Sequence, residues 1–124
     1  MGFHFEKLEV YKKAIEFVDA IYLSTNQFPK KEIFGLTSQL RRASVSIPLN
    51  VAEGSARSRK DFCRFIDISR GSILECSTIL QISLNQKYIN ADLFQQLYNQ
   101  LIQLYKMLNG LKRSLEDYEP RTMN

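Results

Sequence analysis

The chain has 124 residues, of which 44% are hydrophobic and 24% charged. This balance is typical of a folded globular domain and excludes a disordered tail. No apolar run approaches the roughly 18 residues that a membrane-spanning helix needs, and MGFHFEKLEVYKK at the start lacks the apolar stretch of a secretory signal. We therefore expect one domain over residues 1–124, in the cytoplasm, with no membrane contact.

Four segments carry apolar residues at three- and four-residue spacing, with turn-forming sequences between them. The spacing predicts helices over about residues 7–27, 32–55, 59–86 and 91–117, and no strand. Ser58 and Asn90 stand where side-chain caps of the third and fourth helices would be. Because the connections are short, the predicted fold is an all-α, antiparallel, up-down-up-down four-helix bundle.

Each predicted helix has an apolar face that we assign to the core. On the first helix, this face holds Tyr11, Ala14, Ile15, Val18, Ile21 and Tyr22. On the third, it holds Phe62, Phe65, Ile66, Ser69, Ile73, Cys76, Leu80 and Leu84, and we place Ile68, Ile79 and Ile82 away from it. The fourth has the most regular face, made of Leu93, Leu97, Leu101, Leu104, Leu108, Leu111 and Leu115.

The second helix carries two apolar stripes on nearly opposite sides. At 100° per residue, one stripe falls within about 80° and comprises Leu36, Leu40, Ala43, Ile47, Val51 and Gly54. The second stripe comprises Val45, Leu49, Ala52 and Ala56. Only one stripe can face the chain's own core, so we predict that the second is an oligomer interface. The alternative is that a central helix simply has a wide buried arc.

Pro48 lies inside this second helix, yet the first stripe keeps its phase on both sides of it. We favour one bent helix, in which the carbonyl of Ser44 loses its usual donor. The alternative is a new helix capped by Ser46, with Pro48 in its first turn. Our hypothesis is that the bend lets both stripes find partners.

A polar ladder runs between the two stripes and consists of Gln39, Arg42, Ser46, Asn50, Glu53 and Arg57. One interpretation is a solvated face on which Glu53 pairs with Arg57. The other is a polar interface, because the short side chains of Ser46 and Asn50 are poor helix formers at an exposed position.

The positive charge is concentrated in one quarter of the chain. Seven basic and three acidic residues lie between Arg41 and Arg70, and they account for the whole formal net charge of +4. Several of these cations crowd the start of the third helix, where the helix dipole disfavours them but where phosphate binds readily. We predict phosphate-backbone contacts of a nucleic acid at Arg41, Arg42, Arg57, Arg59, Lys60 and Arg64.

The sequence contains no pattern of an enzyme or of a cofactor site. There is a single histidine, His4, and there is no Gly-rich phosphate loop and no His/Cys metal-ligand cluster. We therefore predict no catalytic residue, no metal and no cofactor. Cys63 and Cys76 would point about 140° apart on one helix, so we expect two free core thiols in a reducing compartment.

One long stretch, FPKKEIFGLTSQLRRASVSIPLNVAEGSAR, preceded by FEKLEVYKKA and followed by GSILE, resembles a known family. These are the four-helix-bundle proteins encoded within intervening sequences of bacterial 23S ribosomal RNA genes, and the resemblance covers about residues 3–116. It implies a bundle that assembles into a ring-shaped homopentamer, and it supplies no catalytic residue. A related branch, the accessory variability proteins of diversity-generating retroelements, is similar in fold and binds nucleic acid and a reverse transcriptase through a basic surface.

Two functions follow as hypotheses. The first is an RNA-binding ring, whose basic surface on the second helix and the start of the third is repeated in every subunit. The alternative is a protein-interaction scaffold ring without nucleic acid. In that case Glu53 and Glu75 would pair with arginines across helix contacts, and the basic segment would serve a protein partner such as a nucleic-acid-processing protein.

Overall fold

The computed structural model describes residues 2–118, which form four α-helices and no strand. The helices are α1 (Glu9–Thr25), α2 (Leu36–Ser55), α3 (Arg59–Asn85) and α4 (Ala91–Glu116). Short 3-10 helices precede α1 at His4–Lys7 and α2 at Lys30–Glu32. The prediction of an all-helical chain with four helices is confirmed.

Each helix packs against its neighbours in sequence, and α1 also packs against α4. The diagonal pairs lie farther apart. Within residues 2–118, no Cα atom of α1 lies within 8 Å of one in α3, and none of α2 lies within 8 Å of one in α4. The Ser69 hydroxyl of α3 donates to the Ile47 carbonyl of α2 at 2.9 Å. One turn later in α3, the Ser72 hydroxyl donates to Ser46 Oγ at 2.8 Å. Adjacent helices therefore run antiparallel, in the order of an up-down-up-down bundle.

The start of α2 lies about one turn later than the sequence pattern indicates. Gly35 has φ −112° and ψ −116°, which are not helical values, so the helix begins at Leu36. The Glu32 carboxylate accepts a hydrogen bond from the Leu36 N–H at 3.2 Å and another from the Tyr88 hydroxyl at 2.8 Å. The bond from Tyr88 is the main reason that the pKa of Glu32 is lowered. The side chain of Glu32 thus caps α2 in place of a helical turn.

Both predicted side-chain caps are confirmed. The Ser58 hydroxyl accepts from the Asp61 N–H at 3.2 Å at the start of α3. The Asn90 side-chain oxygen accepts from the Leu93 N–H at 2.8 Å at the start of α4. Each cap provides a partner for an N–H that the helix itself leaves unpaired.

The core lies between the four helices, and the predicted faces of α3 and α4 are confirmed. Leu97, Leu101, Leu104 and Leu108 of α4 are at most 1% exposed. Ile79 of α3 was expected outside the core and is in fact buried.

The predicted core face of α1 is correct for Ala14 and Ile21 and wrong for Ile15 and Tyr22. Its buried apolar residues include Phe17, which the prediction omitted and which is 0% exposed. Ile15 and Tyr22 were expected inside and are 38% and 43% exposed. Because α1 has apolar side chains around most of its circumference, the bundle buries the face that carries the large Phe17 ring.

Helix α2 runs through Pro48 without interruption, so no new helix starts at Ser46. Ile47 and Val51, on either side of Pro48, are 0% exposed, which confirms the first apolar stripe as a core face. None of the helices within residues 2–118 combines the length and the apolar character needed to cross a membrane.

Gly54 allows α2 and α3 to approach closely at the end of α2. A Cβ atom built on Gly54 would lie 2.7 Å from Phe65 Cβ and 2.8 Å from Phe62 Cδ1. Carbon atoms in contact normally stay about 3.5–4.0 Å apart. The absence of a side chain at this position therefore sets the distance between α2 and the first turns of α3, which carry Arg59, Lys60 and Arg64.

Candidate nucleic-acid interface

Four of the predicted contact residues meet where α2 ends and α3 begins. The Cζ atoms of Arg57 and Arg64 lie 5.3 Å and 4.7 Å from the centroid of the same Phe65 ring, so these two guanidinium groups are at most about 10 Å apart. Arg59 and Lys60 are exposed in the first turn of α3. We call Arg57, Arg59, Lys60 and Arg64 the junction cluster.

Three of the four cations of the junction cluster form no ion pair within residues 2–118. Arg64 pairs with Asp61 at 3.5 Å, in an exposed contact of little energetic weight. No carboxylate of residues 2–118 lies within 4.0 Å of a charged nitrogen of Arg57, Arg59 or Lys60. Arg57, Arg59 and Lys60 are therefore exposed to solvent and form no ion pair with a carboxylate of residues 2–118.

Arg41 and Arg42 lie elsewhere on α2. Arg41 Nε donates to Thr25 Oγ1 at 2.8 Å, and its Nη2 donates to Asn26 Oδ1 at 3.2 Å. At 1.5 Å per residue, Arg41 lies about 24 Å from Arg57 along the helix. Arg41 thus joins α2 to the end of α1, while Arg42 is exposed on the polar ladder. The six predicted contacts form two separate groups.

Arg70, at the far end of the basic segment, is held in a charge network between α3 and α4. It donates to Asp67 at 2.9 Å and to the Tyr105 hydroxyl at 3.2 Å. Lys112 also donates to Asp67, at 2.9 Å, and this bond is the main reason that the pKa of Asp67 is lowered. The charge of Arg70 is therefore compensated within the bundle.

The polar ladder on α2 is only partly a solvated face. Ser46 Oγ accepts hydrogen bonds from the Asn50 side chain at 2.9 Å and from Ser72 of α3 at 2.8 Å. Gln39 and Glu53 are exposed. The expected Glu53–Arg57 ion pair is absent from the structure of residues 2–118. The middle of the ladder therefore joins α2 to α3, and its two ends are free to meet solvent.

The second apolar stripe of α2 lies on the surface of the bundle. Leu49 is 53% exposed, Val45 and Ala52 are half-buried, and Ala56 is exposed. With α1 and the segment before it, most of the stripe forms a groove of about 330 Å³, which we call the α1–α2 groove. It is lined by Phe5, Tyr11, Ile15, Val45, Pro48, Leu49 and Ala52.

A second apolar groove of about 330 Å³ lies between α3 and α4, and we call it the α3–α4 groove. It is lined by Ile73, Leu74, Ser77, Tyr98, Leu101, Ile102 and Tyr105. Leu74 is 56% exposed at this surface. Because the α1–α2 and α3–α4 pairs share no helix, the two grooves lie on different sides of the bundle.

A cavity beside the junction cluster was not predicted from the sequence. It lies between the start of α3 and the end of α4 and measures about 370 Å³. The Arg59 guanidinium lies 3.4 Å from the centroid of the Tyr118 ring at this place. We call it the α3–α4 end cavity; its lining is Arg59, Lys60, Cys63, Leu115, Glu116 and Tyr118.

The family model described as 23S rRNA-intervening sequence protein matches residues 6–110. The chain belongs to this family. The resemblance seen in the sequence is thereby confirmed.

A solved relative supports the fold of this chain. It is a crystal structure of a protein with unknown function from the S23 ribosomal protein family of Bacteroides thetaiotaomicron, with a TM-score of 0.76. The two sequences are 23% identical, and the likeness covers 84% of this chain and 95% of the other. At this identity the likeness shows the fold alone. No curated protein matches the chain.

The two cysteines of the chain are free, as predicted. Cys76 is buried in the core, and burial raises the pKa of its thiol to about 12. Cys63 is not a core thiol, contrary to expectation; it is half-buried and lines the α3–α4 end cavity. Burial, with Glu116 nearby, raises the pKa of Cys63. Within residues 2–118, no three His, Cys, Asp or Glu side chains are grouped to hold a metal ion.

Proposed function

We propose that this protein binds RNA, without catalysing a reaction, through the junction cluster. The observation that carries the proposal is the group of three neighbouring cations, Arg57, Arg59 and Lys60, that lack a carboxylate partner in residues 2–118. Arg64 extends this surface, which is charge-led and therefore recognises the phosphate backbone.

The contrast with Arg70 supports this assignment. Arg70, which joins α3 to α4, has a carboxylate partner, because Asp67 pairs with both Arg70 and Lys112. The junction cluster instead places exposed cations at the N-terminus of α3, against the helix dipole. A phosphate oxygen at this place would interact favourably with both the side chains and the free N–H groups of the helix start.

We also propose that the chain assembles into a ring by placing the α1–α2 groove of one subunit against the α3–α4 groove of the next. A contact between two different surfaces generates a ring when the rotation closes. Five subunits is the number implied by the family resemblance. In such a ring the junction cluster recurs in every subunit, so a long RNA can bind several copies at once.

Assembly is tested by size-exclusion chromatography with light scattering. We expect Leu49→Arg in the α1–α2 groove and Leu74→Arg in the α3–α4 groove each to yield monomers with unchanged helical circular dichroism. The matched control is Leu23→Arg, because Leu23 is 72% exposed and lines neither groove. Assembly that survives both groove variants would contradict the proposed contact.

RNA binding is tested by fluorescence anisotropy with a structured RNA. One variant reverses Arg57, Arg59 and Lys60 to Glu, and the control reverses the exposed Lys30, Lys31 and Lys106 to Glu. Both variants change the formal net charge from +4 to −2, so they differ only in where the charge is lost. We expect the first to abolish binding and the second to keep most of it.

Two outcomes would refute RNA binding at the junction cluster. Equal losses in the two variants would mean that total charge, and not this surface, determines binding. No binding by the wild-type chain, even at low salt, would remove the RNA function altogether.

The second candidate function is a protein-interaction scaffold. It is favoured by Phe34 and Ile33, which precede α2 and are 95% and 54% exposed. Such exposure of large apolar side chains is typical of a surface that binds another protein. Cross-linking in cells that recovers one protein partner and no RNA would favour this candidate over the first.

A further inference from the structure

The α3–α4 end cavity combines an aromatic ring, cations and a carboxylate in one small space. Arg59 lies against the Tyr118 ring at 3.4 Å, and Lys60 and Glu116 line the same cavity. We propose that this cavity binds one unpaired nucleobase and its phosphate. This proposal rests on the proposed RNA function, and such a site would make the protein selective for single-stranded RNA.

The size and the exposed surface of the cavity suit a single nucleotide. Its volume of about 370 Å³ falls at the lower end of small-ligand sites in proteins. Tyr118 remains 49% exposed although Arg59 covers part of its ring. Unpaired bases stack on aromatic rings and on guanidinium planes. The stacked Arg59–Tyr118 pair offers both kinds of surface at the mouth of the cavity.

The charged residues of the cavity would contact the phosphate and the base edge of a nucleotide separately. Lys60 and Arg59 supply donors for the phosphate. Glu116 supplies a carboxylate, which only accepts hydrogen bonds and therefore favours a base edge that carries N–H groups. Guanine presents two adjacent donors on its Watson–Crick edge, whereas uracil presents one donor between two carbonyl oxygens. We therefore expect guanine to bind better than uracil.

Base pairing would remove this interaction. The Watson–Crick edge that Glu116 contacts is occupied in a duplex, and the face of a paired base is covered by its stacked neighbours. The junction cluster still contacts the phosphates of a duplex, because phosphate contacts do not depend on pairing. The cavity therefore adds affinity for single strands alone.

Cys63 provides a direct readout of the cavity. It lines the cavity, while Cys76 is buried in the core and does not compete for an alkylating reagent. We would follow maleimide labelling of Cys63 by mass spectrometry with guanosine or uridine monophosphate present. We expect guanosine monophosphate to slow labelling at least about threefold and uridine monophosphate to slow it less. Equal labelling with and without either nucleotide would overturn the cavity proposal.

Substitution of Tyr118 tests whether its ring stacks on an unpaired base. Loss of one base–aromatic stack lowers single-strand affinity by roughly 5- to 160-fold, so we expect this loss in Tyr118→Ala, with duplex affinity unchanged. The control Tyr118→Phe keeps the ring and should keep the affinity. An equal loss for single strand and duplex, or no loss for either, would overturn the cavity proposal while leaving RNA binding at the junction cluster intact.

The two proposals can fail separately. If guanosine monophosphate protects Cys63 but no RNA binds, the cavity is supported as a nucleotide site and the RNA function is wrong. If RNA binds and loses affinity on reversal of Arg57 and Lys60, but no nucleotide protects Cys63, the function stands and the cavity proposal is wrong.

Discussion

Replacing Gly54 by Ala tests how the junction between α2 and α3 is built. The added Cβ would lie 2.7 Å from Phe65 Cβ and 2.8 Å from Phe62 Cδ1. Phe65 Cβ is bonded to the backbone of α3, so it cannot move away unless the helix moves. Overpacking of this kind costs about 1–3 kcal/mol of the free energy of unfolding.

Gly110→Ala is the matched control, because a Cβ on Gly110 in α4 would meet nothing within 4 Å. Alanine in place of glycine inside a helix stabilises by about 0.5–1 kcal/mol. Both variants receive this gain, so the difference in their free energies of unfolding isolates the clash at Gly54. We expect Gly110→Ala to be more stable than Gly54→Ala by about 1–3 kcal/mol.

Urea unfolding followed by circular dichroism measures this difference. With a urea m-value of about 1–3 kcal/mol/M, the two midpoints should differ by on the order of 1 M. Protomer concentration must be kept constant, because assembly would add to the apparent stability. If the two variants unfold at the same urea concentration, α2 and α3 can separate at no cost, and the close approach at Gly54 does not position the junction cluster.

Three further predictions concern single residues of α2 and α3. Ser69→Ala removes the buried hydrogen bond to the Ile47 carbonyl and should lower the free energy of unfolding by about 1 kcal/mol in urea titrations. Asp67→Asn should be less stable than the wild type at pH 7, because it loses the charged contact with Lys112. Lys112 lowers the pKa of Asp67, so the stabilisation by the Asp67 carboxylate is fully present above the ordinary pKa of 3.8. This stabilisation is lost as the pH falls through the lowered pKa. The two urea midpoints should therefore converge in acid, and a constant gap would contradict this reasoning. Pro48→Ala should weaken assembly in light scattering while the chain stays folded; unchanged assembly would mean that Pro48 has no part in it.

The helices could be predicted because their signals are local. The leucine spacing of α4 and the caps at Ser58 and Asn90 depend on residues within a few positions of each other. The face of α1 could not be predicted in the same way. Its apolar residues surround most of the helix, and only packing against α2 and α4 decides that Phe17 is buried while Tyr22 is exposed.

The candidate site could also be predicted only where its residues are close in sequence. Arg57, Arg59, Lys60 and Arg64 are close in sequence, so one helix start brings them together. Arg41 is different, because its partners Thr25 and Asn26 lie on the preceding helix.

Tyr118 was missed for a related reason. It meets Arg59 across 59 positions of sequence only because α4 returns antiparallel to the start of α3. The sole signal in the sequence is a tyrosine placed just after the regular leucine face of α4, at the end of the bundle where α3 begins.

The salt dependence of RNA affinity tests the central claim most directly. Each lost phosphate contact makes the slope of log affinity against log salt shallower by about 0.7–0.9. We would compare Lys60→Gln, in the junction cluster, with the exposed control Lys106→Gln. In Lys60→Gln we predict that the slope becomes shallower by that amount for each subunit that contacts the RNA. In Lys106→Gln we predict an unchanged slope. The same slope in both variants would contradict an RNA-binding surface at the α2–α3 junction.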